Sequence, residues 1–168
     1  MKFQYNDGGR SASGYRGETS DCVARAIAIA TGKPYQEVYD ALNALIRSKR
    51  QTKRMRGKSA RTGTPHGISR EYLAALDWKW TPTMQIGQGC KVHLKADELP
   101  GGRLIVSVSR HLVAVIDGVI HDTYDPARDG TRCVYGYYVP PLSSRRNEQL
   151  TFQSLASRVG DPMAEVRR

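Results

Sequence analysis

Apolar residues along the chain fall into two regimes. Val23, Ala26, Ile27 and Ala30 recur at helical spacing and predict a helix that Ser20 or Asp21 opens and Thr31-Gly32-Lys33-Pro34 closes. A second helix is expected from about Pro34 to Arg47, with Tyr35, Val38, Leu42, Leu45 and Ile46 inward, and a third over about Ser69–Leu76. Beyond these the pattern turns to strands: Trp78–Met84, Lys91–Leu94, Arg103–Val108, His111–Ile116, Val119–Thr123 and Cys133–Val139. Helices first and strands after predict an α+β fold with the helices packed on an antiparallel sheet. Trp78, Trp80, Tyr135, Tyr137 and Tyr138 read as core and sheet-face packing.

The strongest local signal is Asp117-Gly118, a two-residue hairpin turn between β-rich runs. In that register Ile116 pairs with Val119, Ala114 with His121, and Val113 with Asp122, while His111 faces Tyr124. Alternation then puts His111, Val113, Asp122 and Tyr124 on one face and His121 on the other. Residues 7–20 are glycine-rich and polar, hence loop. Residues 1–141 form the expected domain, and 142–168 a polar tail with at most a short helix near Leu150–Arg158.

Composition sharpens this picture. Hydrophobic residues are 39% of 168, so the core occupies only part of the chain. The longest apolar runs, such as Leu112–Ile116, are too short to span a bilayer, and the first residues carry no apolar segment of a signal peptide. A cytoplasmic location with no membrane partner is expected. The net charge is +10, which favours anionic partners. Much of it sits in Arg47, Lys49, Arg50, Lys53, Arg54, Arg56, Lys58 and Arg61, with no acid between them. This segment, about 47–67, reads as a mobile basic loop able to contact nucleic acid backbones or an acidic host protein. It has no interleaved aromatics, so stacking on single strands is not indicated. His66 lies in this polar stretch and is expected to be solvated.

Three cysteines are too few and odd for a disulfide framework, and a reducing cytosol is the natural reading. Cys90 and His93 have C-x-x-H spacing with Cys133 as a third candidate. That is short of the four ligands a structural zinc site uses, so no metal is expected and both cysteines read as small core residues on strands.

Cys22 is different. It falls in the first turn of the first helix, where unpaired N–H groups and the helix dipole favour the thiolate. His111 opens a strand, and Asp122 on the next strand is its diagonal neighbour; a bulge at Thr123–Tyr124 would bring Asp125 round instead. A carboxylate beside an imidazole holds its tautomer and stabilises its protonated form, as the third member of a catalytic triad does.

The order Cys, His, Asp along the chain is that of papain-like cysteine hydrolases. Asp21-Cys22-Val23-Ala24-Arg25-Ala26 resembles the start of the catalytic helix in their bacteriocin-processing, peptidase-like branch. His111-Leu-Val-Ala-Val and Asp122-Thr-Tyr-Asp125-Pro126 resemble its His strand and Asp-Pro element. The resemblance covers roughly residues 15–140. Thr19-Ser20-Asp21-Cys22-Val23 and the Arg110–Gly118 strand also resemble phage and prophage proteins, which would make the compartment a host cytoplasm.

The resemblance implies a papain-like fold and a cysteine-dependent hydrolase of amide, peptide or isopeptide bonds. Cys22 would be the nucleophile, His111 the base and Asp122 or Asp125 the third member, acting on a protein or peptide without a cofactor. The papain-like pattern has a glutamine six residues before the nucleophile. Here that position is Arg16, which can also donate to an oxyanion but carries a full charge. Gln4 could supply an amide only if the loop folds back. The alternative is an inactive papain-like scaffold that binds nucleic acid or a host protein through the basic loop.

Overall fold

A computed structural model describes residues 1–50, 52–53 and 55–142. The elements are β1 (Lys2–Tyr5), α1 (Cys22–Thr31), α2 (Tyr35–Ser48), α3 (His66–Ala75), β2 (Lys79–Pro82), β3 (Arg103–Val108), β4 (His111–Ile116), β5 (Val119–Asp122) and β6 (Val134–Val139). None of the described helices is long and apolar enough to cross a membrane.

α1 ends where glycine allows it. Gly32 takes the left-handed conformation (φ 72°) and donates its N–H to the Ala28 carbonyl. α2 buries Tyr35, Val38, Leu42 and Ile46 at helical spacing. α3 starts at His66, right after Pro65 and earlier than its apolar stripe suggests. The His66 ring stays exposed and meets Trp80 edge-on.

The six strands form one sheet in the order β1-β5-β4-β3-β6-β2. It is mixed rather than purely antiparallel, because β1 pairs parallel to β5, Tyr5 opposite Asp122. β1 was not expected; Lys2-Phe3-Gln4-Tyr5 is a single short alternation, and all four of its residues are exposed. The β4–β5 hairpin has the expected register, Ile116 opposite Val119 and Ala114 opposite His121. Asp117 (φ 47°) and Gly118 (φ 74°) both lie at positive φ, as this tight turn requires. β3 and β4 are joined by Ser109-Arg110, with Val108 opposite His111. The expected strand over 91–94 reduces to one bridge, His93 to Cys133, because Leu94 turns inward as a core plug instead of extending a ladder.

Two apolar layers sandwich the sheet. Ala24, Ile27, Leu42 and Leu73 pack with Ile105, Leu112 and Ala114 on the helical side. Leu94, Leu99 and Ala127 cover Leu104, Val106, Val113, Val115 and Ile120 on the other. Trp80 stacks against Tyr138 (centroids 4.7 Å apart) and lies over Gly136. A Cβ at Gly136 would run into the Trp80 ring and sit 2.7 Å from the Thr81 carbonyl oxygen. Gly136→Ala should therefore cost about 2 kcal/mol, the usual scale of overpacking, which urea unfolding would measure. A loss below about 0.5 kcal/mol would show that Trp80 moves away freely.

Cys90 and Cys133 are joined in a disulfide (Cα–Cα 5.8 Å), which corrects their assignment as separate core residues. Cys90 lies in an exposed loop brought against Cys133 at the start of β6. An odd count excludes a full framework, not one bond, and the cysteine left over is Cys22. The pair also removes the cysteine argument for a reducing compartment.

The basic segment is docked at both ends. Arg47 belongs to α2, and Lys49 pairs with Glu71 on α3. Ala60 is fully buried and its N–H donates to Asn43 Oδ1 at 2.9 Å. Arg54 and the expected helix near Leu150–Arg158 lie outside the described residues.

Candidate active site

Three elements converge at one end of the sheet. β4 begins there with His111, β5 ends there with Asp122, and α1 begins there with Cys22. His111 Nε2 lies 2.5 Å from Asp122 Oδ2. That occupies one ring nitrogen, and the imidazole also interacts with the Cys22 thiol by hydrogen bonding and charge. The Tyr124 ring packs 5.1 Å from the imidazole and is half exposed. Of the two candidate carboxylates, Asp122 is the one on the histidine. Asp125 is exposed and its Oδ1 accepts the Ala127 N–H at 2.8 Å.

The site is nearly closed to solvent. Relative exposure is 9% for His111, 3% for Asp122, 6% for Arg25 and 1% for Asp21. Buried charges need partners, and each of these has them. Arg25 reaches Asp21 Oδ1 with one guanidinium nitrogen and Asp122 Oδ1 with another at 3.3 Å. Asp21 Oδ2 accepts the Tyr35 hydroxyl at 2.5 Å and faces Arg10 Nε at 3.0 Å. The latter contact is one of charge, since its geometry is not that of an aligned hydrogen bond. Asp122 Oδ1 also accepts the Thr123 N–H at 2.7 Å. Counted with a Cys22 thiolate and a His111 imidazolium, the cluster holds three cations and three anions, Arg10, Arg25 and His111 against Asp21, Asp122 and Cys22.

Asp21, Arg25, Arg10 and Tyr35 had no expected role in the site. Asp21 is expected as a helix cap, with Ser20 as the alternative, and as part of the Asp-Cys start, yet its side chain makes no cap hydrogen bond. The i,i+4 spacing of Asp21 and Arg25 was a signal of pairing, but the apolar stripe around Arg25 gave no hint that both would be buried. A Cβ on Gly8 would press on the Arg25 carbonyl at 3.2 Å, so the N-terminal loop closes down on this helix.

Electrostatics favour the ion pair. Burial pushes the Cys22 thiol up. The hydrogen bond and charge of His111, the Leu112 N–H and the charge of Arg25 outweigh it and bring the thiol below its usual range. Burial likewise opposes protonation of His111, but Asp122 and Cys22 raise it to about 9. Tyr35 is pushed well above the usual phenol range by burial and by Asp21, so it stays a donor.

Linkage to folding follows from these directions. The lowered Cys22 thiol contributes stability that is lost as pH falls through its folded range. Above about pH 8.5 the unfolded chain has lost both protons while His111 keeps its own, so stability falls through about 9. This alkaline edge is expected in urea unfolding and should vanish in His111→Ala. An alkaline edge that survives the substitution would assign it to another group.

Arg16 is exposed, and its carbonyl accepts Arg61 Nη2 at 3.1 Å; its guanidinium makes no hydrogen bond among the described residues. Gln4 lies in β1 opposite His121. His121 is pushed down by burial and by Arg103, and stays off the site. The Cys22 N–H lies in the first helical turn, where intrahelical partners are lacking. Arg47, Lys49, Arg50, Lys53, Arg56, Lys58 and Arg61 are all exposed. The end of their segment touches the approach to the nucleophile, because the Arg61 carbonyl accepts the Ser20 N–H at 2.9 Å and the Thr19 hydroxyl at 2.9 Å. Comparison of the chain with protein families, with curated proteins and with solved structures returns no match.

Proposed function

We propose that this protein is a papain-like, cysteine-dependent hydrolase of an amide, peptide or isopeptide bond. The observation that carries it is a free thiol at a helix N-terminus, in interaction with an imidazole whose Nε2 lies 2.5 Å from a buried carboxylate. Three groups in that order have the geometry of an activated nucleophile, its base and the orienter of the base.

In the proposed reaction the Cys22 thiolate attacks the carbonyl carbon, and the oxygen that gains the electron pair takes the Cys22 N–H. His111 gives its proton to the departing nitrogen, leaving an acyl-enzyme. It then takes a proton from water, which attacks the thioester and restores the thiolate–imidazolium pair. A transferase would differ only in the acceptor. The compartment we propose, a host cell cytoplasm, rests on the resemblance to phage proteins alone. The alternative of an inactive binding scaffold draws on the exposed cations of the basic segment, and requires salt-sensitive binding together with an inert Cys22.

Limiting iodoacetamide at about pH 6 separates the two, because an ordinary thiol is almost wholly protonated there. Mass spectrometry of the native protein should place the label on Cys22, at a rate far above that of a free thiol. Slow labelling would remove the hydrolase.

A further inference from the structure

The proposed site lies among arginines that its own charge network does not use. Arg16 sits six residues before Cys22 and is exposed, and Arg61 is bound to the same segment through the Ser20 N–H and the Arg16 carbonyl. On the sheet side, Arg110 is the exposed residue immediately before His111. Arg132 donates through Nη2 to the Ser109 carbonyl at 2.5 Å, which fixes it on the turn that leads into β4. Its Nε–H is buried with no hydrogen-bond partner among the described residues. It is close enough to Tyr124, whose ring lies on His111, for the two to interact electrostatically. Arg16, Arg61, Arg110 and Arg132 have no ion-pair carboxylate among the described residues, whereas Arg10 and Arg25 are both paired inside the network. The exposed acids nearest these arginines in sequence are Glu18, Glu71, Asp117 and Asp129; Glu71 pairs with Lys49, and Asp117 has one oxygen occupied by the Gly102 N–H.

Unpaired cations on both sides of a nucleophile raise the local concentration of anions and select among substrates by charge. Nucleic acid is one anion, but its backbone has no carbonyl for the thiolate to attack. We infer that the substrate is an acidic polypeptide, with Asp or Glu flanking the scissile bond, received by Arg110 and Arg132 on one side of Cys22 and by Arg16 and Arg61 on the other. The inference rests on the hydrolase reading and specifies its substrate class. A guanidinium suits this task because it meets a carboxylate with two parallel N–H groups.

The test uses the full chain and three peptidyl acyloxymethyl ketones of one length, with flanking Asp/Glu, Asn/Gln or Lys. The acidic probe should label Cys22 about tenfold faster than its amide counterpart at low salt, and the Lys probe slowest. Raising the salt should compress the series. In Arg110→Gln/Arg132→Gln the ratio of acidic to amide rates should fall toward one. Equal rates for all three probes would overturn the acidic preference while leaving the hydrolase intact. No labelling by any probe, with iodoacetamide also slow, would instead overturn the hydrolase. Duplex DNA that blocks the Asn/Gln probe at low salt more strongly than poly-glutamate does would assign the basic face to nucleic acid and overturn the inference.

Discussion

Replacing His111 by Ala should slow alkylation of Cys22 at about pH 6 by roughly 10²-fold. The size follows from the thiolate fraction. Burial alone raises the thiol, and most of what lowers it is the hydrogen bond and charge of this one imidazole. Without it, Cys22 is a half-buried thiol with only the Leu112 N–H and the Arg25 charge in its favour. Asp122→Asn should act in the same direction and less strongly, about tenfold, since an amide still orients the ring but no longer stabilises its charge. Circular dichroism should match wild type in both variants, so that the loss reports chemistry rather than unfolding. Labelling that stays within about twofold of wild type in His111→Ala would show that Cys22 is not activated by this partner.

The second large effect is on stability. Among the described residues, Arg25 is the only side chain that touches both buried carboxylates of the site. Arg25→Met keeps the packing volume but leaves Asp21 and Asp122 short of a cation in a site closed to water. The expected cost is about 3 kcal/mol, the low end for breaking a buried pair, because Asp21 keeps Tyr35 and Arg10 and Asp122 keeps His111 and Thr123. Arg25→Lys should lie between, as one ammonium has no fork with which to hold two carboxylates. Urea unfolding measures both. A cost under about 1 kcal/mol for Arg25→Met would mean that water, not Arg25, compensates the carboxylates.

These expectations also show what could be read from the sequence. Period and turn chemistry carried the core of the sheet. Asp117-Gly118 set the β4–β5 register, and with it the approach of His111 to Asp122. Strand pairing is local there, so two residues of turn fix the rest. The features that escaped are non-local. β1 is exposed on every residue and pairs with β5 across most of the chain length. Cys90 meets Cys133 across 43 residues of sequence. The i,i+4 spacing of Asp21 and Arg25 marks a pair, but only the packing of the N-terminal loop and of α2 makes that pair interior.

The central claim is that Cys22 and His111 rest as thiolate and imidazolium. Ultraviolet thiolate absorbance tests it most directly, titrated in wild type and in Cys22→Ser with the Cys90–Cys133 bond intact. The difference between the two should show a thiolate already present well below the ordinary thiol range, and the His111→Ala protein should lose it. A difference that appears only in the ordinary thiol range, and is the same with or without His111, would contradict the ion pair.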